Sequence, residues 1–305
     1  MLAVRRITVI GLLVNFGLSG VKFALGTLGA SQALVADAVH SLSDVSTDLA
    51  VIVGVHFWAA PPDEEHPYGH GRIETLITLG IGTALGAVAV WIAYDSVITL
   101  REGHSRPPGW LAFAGAVLSI VAKEVLYQWT IARARRVQSS ALEANAWHHR
   151  LDAFSSIPVA VAVGAAALNP SWSYLDHVGA ILVSVVVLHA AWRIVSPMLD
   201  QLSDRAVSGA ERRAIQEIAS QVQDVREVHE VRTRRTGSTV FVDLHVLVDP
   251  AITVRRGHDI AAEVKRQLLT RGLGVSDVVV HVEPYDEENT MRSRMAQAEN
   301  GSGNP

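Results

Sequence analysis

Two segments of this chain carry the same pair of metal-ligand side chains at the same spacing. His40 is followed four residues later by Asp44, and His148 is followed four residues later by Asp152. Residues four apart share one face of an α-helix, so an imidazole and a carboxylate on each helix can converge. Two such helices supply four nitrogen and oxygen ligands, the closed tetrahedral set that Zn²⁺ accepts readily. One such pair alone is more often a structural hydrogen bond, and it is the repetition that favours a metal site.

Both pairs lie inside long apolar segments, where ionisable side chains are costly and mark functional sites. The repetition extends upstream, because Asp37 precedes His40 by three residues and Asn145 precedes His148 by three. Ligand histidines usually donate their other ring nitrogen to a neighbouring polar group. We therefore expect Asp37 and Asn145 to orient the two histidines.

The composition places most of the chain in a membrane. Of its 305 residues, 49% are hydrophobic and 18% are charged, which is too apolar for a soluble protein of this size. A membrane helix needs about 20 apolar residues. Windows of that length lie at about 7–28, 34–58, 75–100, 109–131, 143–168 and 174–198. We predict about six membrane helices in a transmembrane domain over residues 1–204.

The basic residues predict how these helices are oriented. Arginines stand at the amino terminus, after the second helix and after the fourth, all on one side of a six-span arrangement. The positive-inside rule then puts both termini in the cytoplasm. The absence of cysteine excludes thiolate ligands and disulfides. A net charge of −4 gives no indication of nucleic-acid binding.

After Pro197 the sequence becomes mixed in polarity, which predicts a small α+β domain over residues 205–286. The apolar periodicity gives the element order α-β-β-α-β. Its helices are predicted at 208–222 and 257–271, and its strands at 225–235, 239–248 and 277–283. The tail 287–305 has no apolar periodicity and is predicted to be disordered.

This domain carries a second set of candidate ligands. His229 lies in the first strand, His245 in the second and His281 in the third, with Glu283 on the same face as His281. His258 begins the second helix. Four histidines and a carboxylate can form one or two metal sites, but solvated side chains on an open sheet face are an equally good interpretation.

A third candidate set lies in the loop after the second membrane helix. Asp63, His66 and His70 follow a D-x-x-H-x-x-x-H spacing. These residues can hold a metal if water completes its coordination. The alternative is an ordinary polar turn, which the spacing alone slightly favours.

Three motifs give the chain a family resemblance that covers about residues 5–285. They are Ala36-Asp37-Ala38-Val39-His40-Ser41-Leu42-Ser43-Asp44, His66-Pro67-Tyr68-Gly69-His70-Gly71-Arg72-Ile73-Glu74 and Ala144-Asn145-Ala146-Trp147-His148-His149-Arg150-Leu151-Asp152. With them the chain resembles the cation diffusion facilitators, dimeric antiporters of metal ions and protons. That family has six membrane helices and a cytoplasmic ferredoxin-like domain.

The resemblance implies roles for all three candidate sets. Divalent metal would cross at the membrane site, and a second site would lie in the loop. A third, cytoplasmic site would link the dimer, and a basic–acidic interlock would hold it. These sets are His40, Asp44, His148 and Asp152; Asp63, His66 and His70; His229, His245, His258, His281 and Glu283; and the interlock pair Arg72 and Asp204.

The resemblance implies a homodimer in the lipid of the cell inner membrane, and with these residues we predict that it exports Zn²⁺ from the cytoplasm in exchange for protons. His40 at the first ligand position resembles the zinc-selective subgroup. Export of Fe²⁺, Mn²⁺, Co²⁺ or Cd²⁺ by the same mechanism is the alternative, because first-row affinities overlap. A membrane metal sensor is a further alternative. The chain lacks an H-E-x-x-H motif, and we do not expect an enzyme or an organic cofactor.

Overall fold

The computed structural model describes residues 2–43, 45, 60–102, 107–137, 140–237, 239–271 and 273–286. The chain divides into two compact units. The membrane unit comprises Met1–Phe57 and Leu76–Ser196, and the soluble unit comprises Trp58–Thr75 and Pro197–Pro305. The predicted disordered tail, 287–305, lies outside the described residues.

Long helices make up the membrane unit, because its sequence is apolar on nearly every face. Five of the described helices are long and apolar enough to cross a membrane. The predicted span 34–58 is helical over 32–43, which we label α2, and its residues from 46 on lie outside the described part. The other helices are α1 (Leu2–Leu28), α3 (Gly71–Glu102), α4 (Trp110–Val137), α5 (Ser140–Leu168) and α6 (Tyr174–Leu202).

Small side chains let these helices approach closely. A Cβ atom added at Gly29 would lie 2.7 Å from the Ala112 Cβ of α4, and one at Gly115 would lie 3.0 Å from Leu25 of α1. Membrane helices gain no hydrophobic drive from each other in lipid, so packing contact of this kind holds them together. The contacts fix α1 against α4.

The soluble unit has the predicted α-β-β-α-β order, and the prediction of a small α+β domain is confirmed. In the described residues it forms one three-stranded sheet of order β1-β2-β3, with β1 and β2 antiparallel and β2 and β3 parallel. The elements are α7 (Gly209–Ser220), β1 (Glu227–Thr236), β2 (Thr239–Val248), α8 (Val254–Thr270) and β3 (Val275–Pro284).

The alternation along β2 decides which face of the sheet is buried. Val242, Leu244 and Val246 are buried, whereas Asp243 is exposed and His245 is half-buried on the other face. Helices α7 and α8 cover the valine face with Ile215, Ala219, Ile260, Val264 and Leu268. The opposite face is left available for polar side chains from all three strands.

The β1–β2 turn needs a glycine. Gly237 has a φ of +56°, and a Cβ there would lie 2.7 Å from the Glu74 carboxylate. Both the backbone conformation and the space therefore exclude a larger residue. The turn stays close to the start of α3, whose first residues belong to the same soluble unit.

Candidate metal centres

Two of the four predicted membrane ligands lie together on α5. The distance from His148 Nδ1 to Asp152 Oδ1 is 3.9 Å. Neighbouring ligands of a tetrahedral zinc are separated by roughly 3.3 Å, because its Zn–N and Zn–O bonds are about 2.0–2.1 Å long. A small rotation of the imidazole would bring both atoms to one ion. The helical i, i+4 spacing places this imidazole and carboxylate on one face of α5, and their convergence with the α2 pair stays a prediction.

Asp152 has a second neighbour that the sequence analysis missed. Lys123 of α4 donates to Asp152 Oδ2 at 2.8 Å, and both side chains are buried. A buried carboxylate is strongly disfavoured unless an opposite charge compensates it. The lysine therefore offsets the cost of burying the Asp152 carboxylate, whose oxygens can bind metal.

On α2, the His40 ring has a buried Nδ1 with no hydrogen-bond partner among the described residues. An unpaired ring nitrogen in a buried position is available to a ligand. This donor fits a cation such as Zn²⁺, which imidazole nitrogen binds well. Asp44, the fourth predicted ligand, lies outside the described residues.

The two predicted orienting residues have other partners. Asp37 pairs with Lys22 of α1 at 2.7 Å and accepts from Ser156. Asn145 lies 3.4 Å from His149 Nε2 rather than beside His148. Spacing alone does not select between such partners, because residues three and four apart are both neighbours on a helix face.

In the loop between the second predicted span and α3, the predicted carboxylate and histidines come together. Asp63 lies 3.3 Å from His66 Nδ1 and 3.3 Å from His70 Nε2. The backbone N–H of His66 donates to Asp63, which holds the pKa of that carboxyl below its usual value. His70 Nδ1 is buried without a partner in the described residues. The three donor atoms lie within 4.8 Å of one another, which fits one divalent ion.

This loop is packed against the β1–β2 hairpin. Tyr68 meets Phe241 edge to face at 5.8 Å, and the Arg234 guanidinium stands 5.1 Å from the Tyr68 ring. These contacts give the loop more support than an isolated polar turn has. The donor set is therefore held in place by the soluble unit.

Strand register builds the third cluster. His229 pairs with His245 across β1 and β2, and His245 pairs with His281 across β2 and β3. The three histidines thus form one row on the face opposite the valines. Glu283 lies two residues beyond His281 on that same face.

Glu283 joins two histidines of the row. Its carboxylate oxygens lie 2.9 Å from His229 Nε2 and 2.9 Å from His245 Nδ1. Burial acts to raise the pKa of Glu283, but the hydrogen bonds and charges of the two histidines outweigh it and lower the pKa. The group presents an ionised carboxylate and imidazoles within 4.8 Å, a donor set that suits Zn²⁺ or a similar cation.

A β-bulge adds a further carboxylate to this cluster. The register shifts between His229 and Arg232, and Glu230 has a φ of 47°. An extra residue in one strand re-aims its side chain. The Glu230 carboxylate comes within 3.8 Å of His245 Nε2.

His258 lies apart from this cluster. Helix α8 turns Gly257 and Ile260 inward and leaves His258 exposed. It is not among the residues whose ligand atoms lie within 4.8 Å of one another in the described chain. Its assignment to the same site stays a prediction.

The predicted interlock residues contact each other. Arg72 Nη2 donates to Asp204 Oδ1 at 3.0 Å, and both side chains are about half exposed. Asp204 has a φ of 55°, a left-handed conformation that aspartate and asparagine tolerate better than long side chains do. That this pair holds a dimer stays a prediction.

We expect Glu283→Gln to weaken metal binding at the cluster of His229, His245 and Glu283 by about ten- to a hundredfold, since it removes the negative charge of the carboxylate that bridges the two histidines. Isothermal titration of the full-length protein with Zn²⁺ measures the effect. Glu263→Gln is the matched control, because Glu263 is an exposed α8 carboxylate paired with Arg266. Equal affinities in the two variants would contradict the assignment.

Comparison with known proteins places the whole described architecture in one family. The model of the cation efflux transmembrane domain matches residues 8–203, and that of the cation efflux protein cytoplasmic domain matches residues 207–285. Manganese efflux system protein MneP of Bacillus subtilis (strain 168) is 30% identical, over 93% of this chain and 97% of that protein. Metal tolerance protein C1 of Arabidopsis thaliana is 35% identical, over 92% of this chain and 62% of that protein.

A third relative is magnetosome protein MamB of Magnetospira sp. (strain QH-2), which is 31% identical over 89% of this chain and 92% of that protein. The two domain models match consecutive parts of this chain. The chain belongs to the cation diffusion facilitator family.

Proposed function

We propose that this protein exports a divalent metal ion from the cytoplasm in exchange for protons, and that Zn²⁺ is the expected cargo. The observation that carries the proposal is the buried Asp152 carboxylate, which pairs with Lys123 and lies within 3.9 Å of the His148 imidazole. A carboxylate beside an imidazole inside a membrane helix suits cation transport, and the repetition of the pair at His40 and Asp44 favours this use over a structural hydrogen bond.

Exchange with protons follows from the chemistry of these ligands. An imidazole binds metal only when it is neutral, and a carboxylate binds it only when it is ionised. Protonation of His40, His148 or Asp152 therefore opposes metal binding at the same atoms. One site can serve both ions in turn if the helices expose it first to one side and then to the other.

The names of the relatives support metal export and leave the metal open. MneP is named for manganese efflux, and the plant relative is named for metal tolerance. Imidazole ligands favour Zn²⁺ over Mn²⁺, which prefers oxygen. Two candidate histidines in the membrane set are the reason for choosing Zn²⁺, with Fe²⁺, Mn²⁺, Co²⁺ and Cd²⁺ as the alternatives.

The second part of the proposal is that the protein works as a homodimer in the cell inner membrane, with both termini in the cytoplasm. The cytoplasmic cluster would respond to rising metal by binding it and favouring one dimer geometry. A membrane metal sensor could use the same cluster. Metal flux separates the two functions, because a sensor has none.

The direct test is uptake into proteoliposomes with each of the five metals across an imposed pH gradient. We expect gradient-driven metal uptake, with Zn²⁺ preferred, and a matching movement of protons. Metal uptake without proton movement would contradict the antiport mechanism. No metal uptake at all would contradict the transporter assignment.

We expect loss of flux when Asp152 is neutralised together with its lysine, in the double variant Asp152→Asn, Lys123→Gln. Removing Asp152 alone would strand a buried lysine, at a cost of about 3–5 kcal/mol, and the double change avoids this. Flux assays and gel filtration of the variant measure the result. Asp200→Asn, the same change at an exposed carboxylate paired with Arg205, is the control. Wild-type flux in the double variant would exclude Asp152 as a ligand.

Replacing His40 by aspartate should broaden the range of metals toward Mn²⁺ or Cd²⁺. The change exchanges a nitrogen donor for an oxygen donor, and hard oxygen ligands suit Mn²⁺ better. Competition between metals in the flux assay gives the order of preference. An unchanged order would mean that residues other than His40 set selectivity.

The Arg72–Asp204 pair is best tested with Asp204→Asn, which removes the charge and keeps a residue that tolerates the left-handed backbone. An exposed pair contributes about 0–1 kcal/mol, so we expect a weakening of the dimer by no more than about fivefold. Sedimentation measures the dimer, and the flux assay follows its consequence. Arg205→Gln is the control, since it removes a nearby arginine outside the pair. Equal effects of the two changes would contradict a specific interlock.

A further inference from the structure

Two lysines are buried inside the membrane unit, one against each of two aspartates. Lys22 of α1 pairs with Asp37 of α2 at 2.7 Å and is 0% exposed. Lys123 of α4 pairs with Asp152 of α5 at 2.8 Å and is 3% exposed. Buried lysine is rare because its charge is expensive to remove from water. Each buried lysine therefore calls for a structural or functional explanation.

The two pairs belong to one polar network. Lys22 donates to Ser41 Oγ at 2.9 Å and to Ser156 Oγ at 3.3 Å. Ser156 Oγ is within hydrogen-bond distance of the Asp37 carboxylate and of the Asp152 carbonyl oxygen. Four helices, α1, α2, α4 and α5, thus meet at two cations and two anions.

Only the Lys123 pair involves a candidate metal ligand. Lys123 Nζ lies against Asp152 Oδ2, while Asp152 Oδ1 faces the His148 ring. An incoming metal ion would compete with the ammonium for the negative charge of the same carboxylate. The metal ion and the Lys123 ammonium repel each other at contact distance, so they cannot both bind the Asp152 carboxylate closely.

We propose that Lys123 is a tethered cation that compensates Asp152 when the site holds no metal, and that metal binding must displace it. This inference rests on the proposed function, because it assumes that Asp152 is a metal ligand. The lysine stabilises the metal-free site and lowers the affinity of that site for metal. An exchanger needs both properties, since its site must persist without metal while the carrier returns with protons, and it must release the metal that it binds.

A purely structural role for Lys123 predicts the opposite result in a binding experiment. If the lysine only ties α4 to α5 and positions Asp152, its removal should loosen the site and weaken metal binding. If the lysine competes with metal, its removal should strengthen binding. The sign of the change in Kd separates these roles.

The test is Zn²⁺ titration of the full-length protein carrying His66→Ala and His245→Ala, which disable the loop and cytoplasmic clusters. Loss of the remaining binding on adding Asp152→Asn with Lys123→Gln identifies it as the membrane site. Adding Lys123→Gln alone should lower the Kd of that site by about tenfold or more, equivalent to about 1.4 kcal/mol. Lys22→Gln is the matched control, because it removes an equally buried lysine that does not touch Asp152. Its effect should be clearly smaller.

An unchanged or higher Kd in Lys123→Gln, or an equal fall in Lys22→Gln, would overturn the proposal. If Lys123→Gln does not fold, Lys123→Arg decides, since it keeps the charge and can hold the carboxylate by two hydrogen bonds. Competition predicts a higher Kd in Lys123→Arg, and an unchanged or lower value would overturn it. Absence of flux in the wild-type protein would instead reject the proposed function, which makes the two failures distinguishable.

Discussion

A carboxylate inside a bilayer keeps its charge only when an opposite charge stands beside it, and the membrane unit meets this condition with lysines. Lys22 compensates Asp37, and Lys123 compensates Asp152. Without these partners the aspartates would be neutral at membrane depth or would draw water into the bundle. The ability to bind a cation at Asp152 therefore depends on an ion pair that the cation itself must disturb. The surrounding helices have to keep that pair intact and yet allow it to open.

Packing between the helices explains how such short contacts are maintained. Gly29 lets α1 approach α4 at Ala112, and Gly115 makes room for Leu25 a turn further along. Close backbone contact of this kind resists deformation, because a dense interior transmits displacement rather than absorbing it. In the soluble unit, strand register is what aligns the histidines in one row. A slip of one residue in β2 would move His245 to the valine face and dismantle the histidine row.

Sequence patterns predicted the elements of the soluble unit and the face on which some candidate ligands lie, for identifiable reasons. The alternation in 239–248 carries a period of two, and it specified both the strand and the face of His245. The repeated His-x-x-x-Asp spacing likewise placed His148 and Asp152 on one face of α5. These are local relations within one element, and a single sequence contains them in full.

Relations between elements were harder to predict. Lys22 and Lys123 lie inside two apolar windows. A lysine at membrane depth is itself a signal of function, although it is not a metal ligand. Which aspartate each lysine meets depends on how four helices pack, and no periodicity records that. Asn145 is a subtler case, because its three-residue and four-residue neighbours are both histidines and only side-chain direction distinguishes them.

The balance of charge in the buried network also bears on how the membrane potential acts. Lys22, Lys123, Asp37 and Asp152 sum to zero, so moving these four groups together through the electric field of the bilayer does no electrical work. A divalent ion added to them makes the moving body positive, at about 2.3 kcal/mol for each charge carried across 100 mV. With these groups alone in motion, an inside-negative voltage opposes the outward step of the metal-loaded carrier, and it acts on the return step only through the protons that are carried inward.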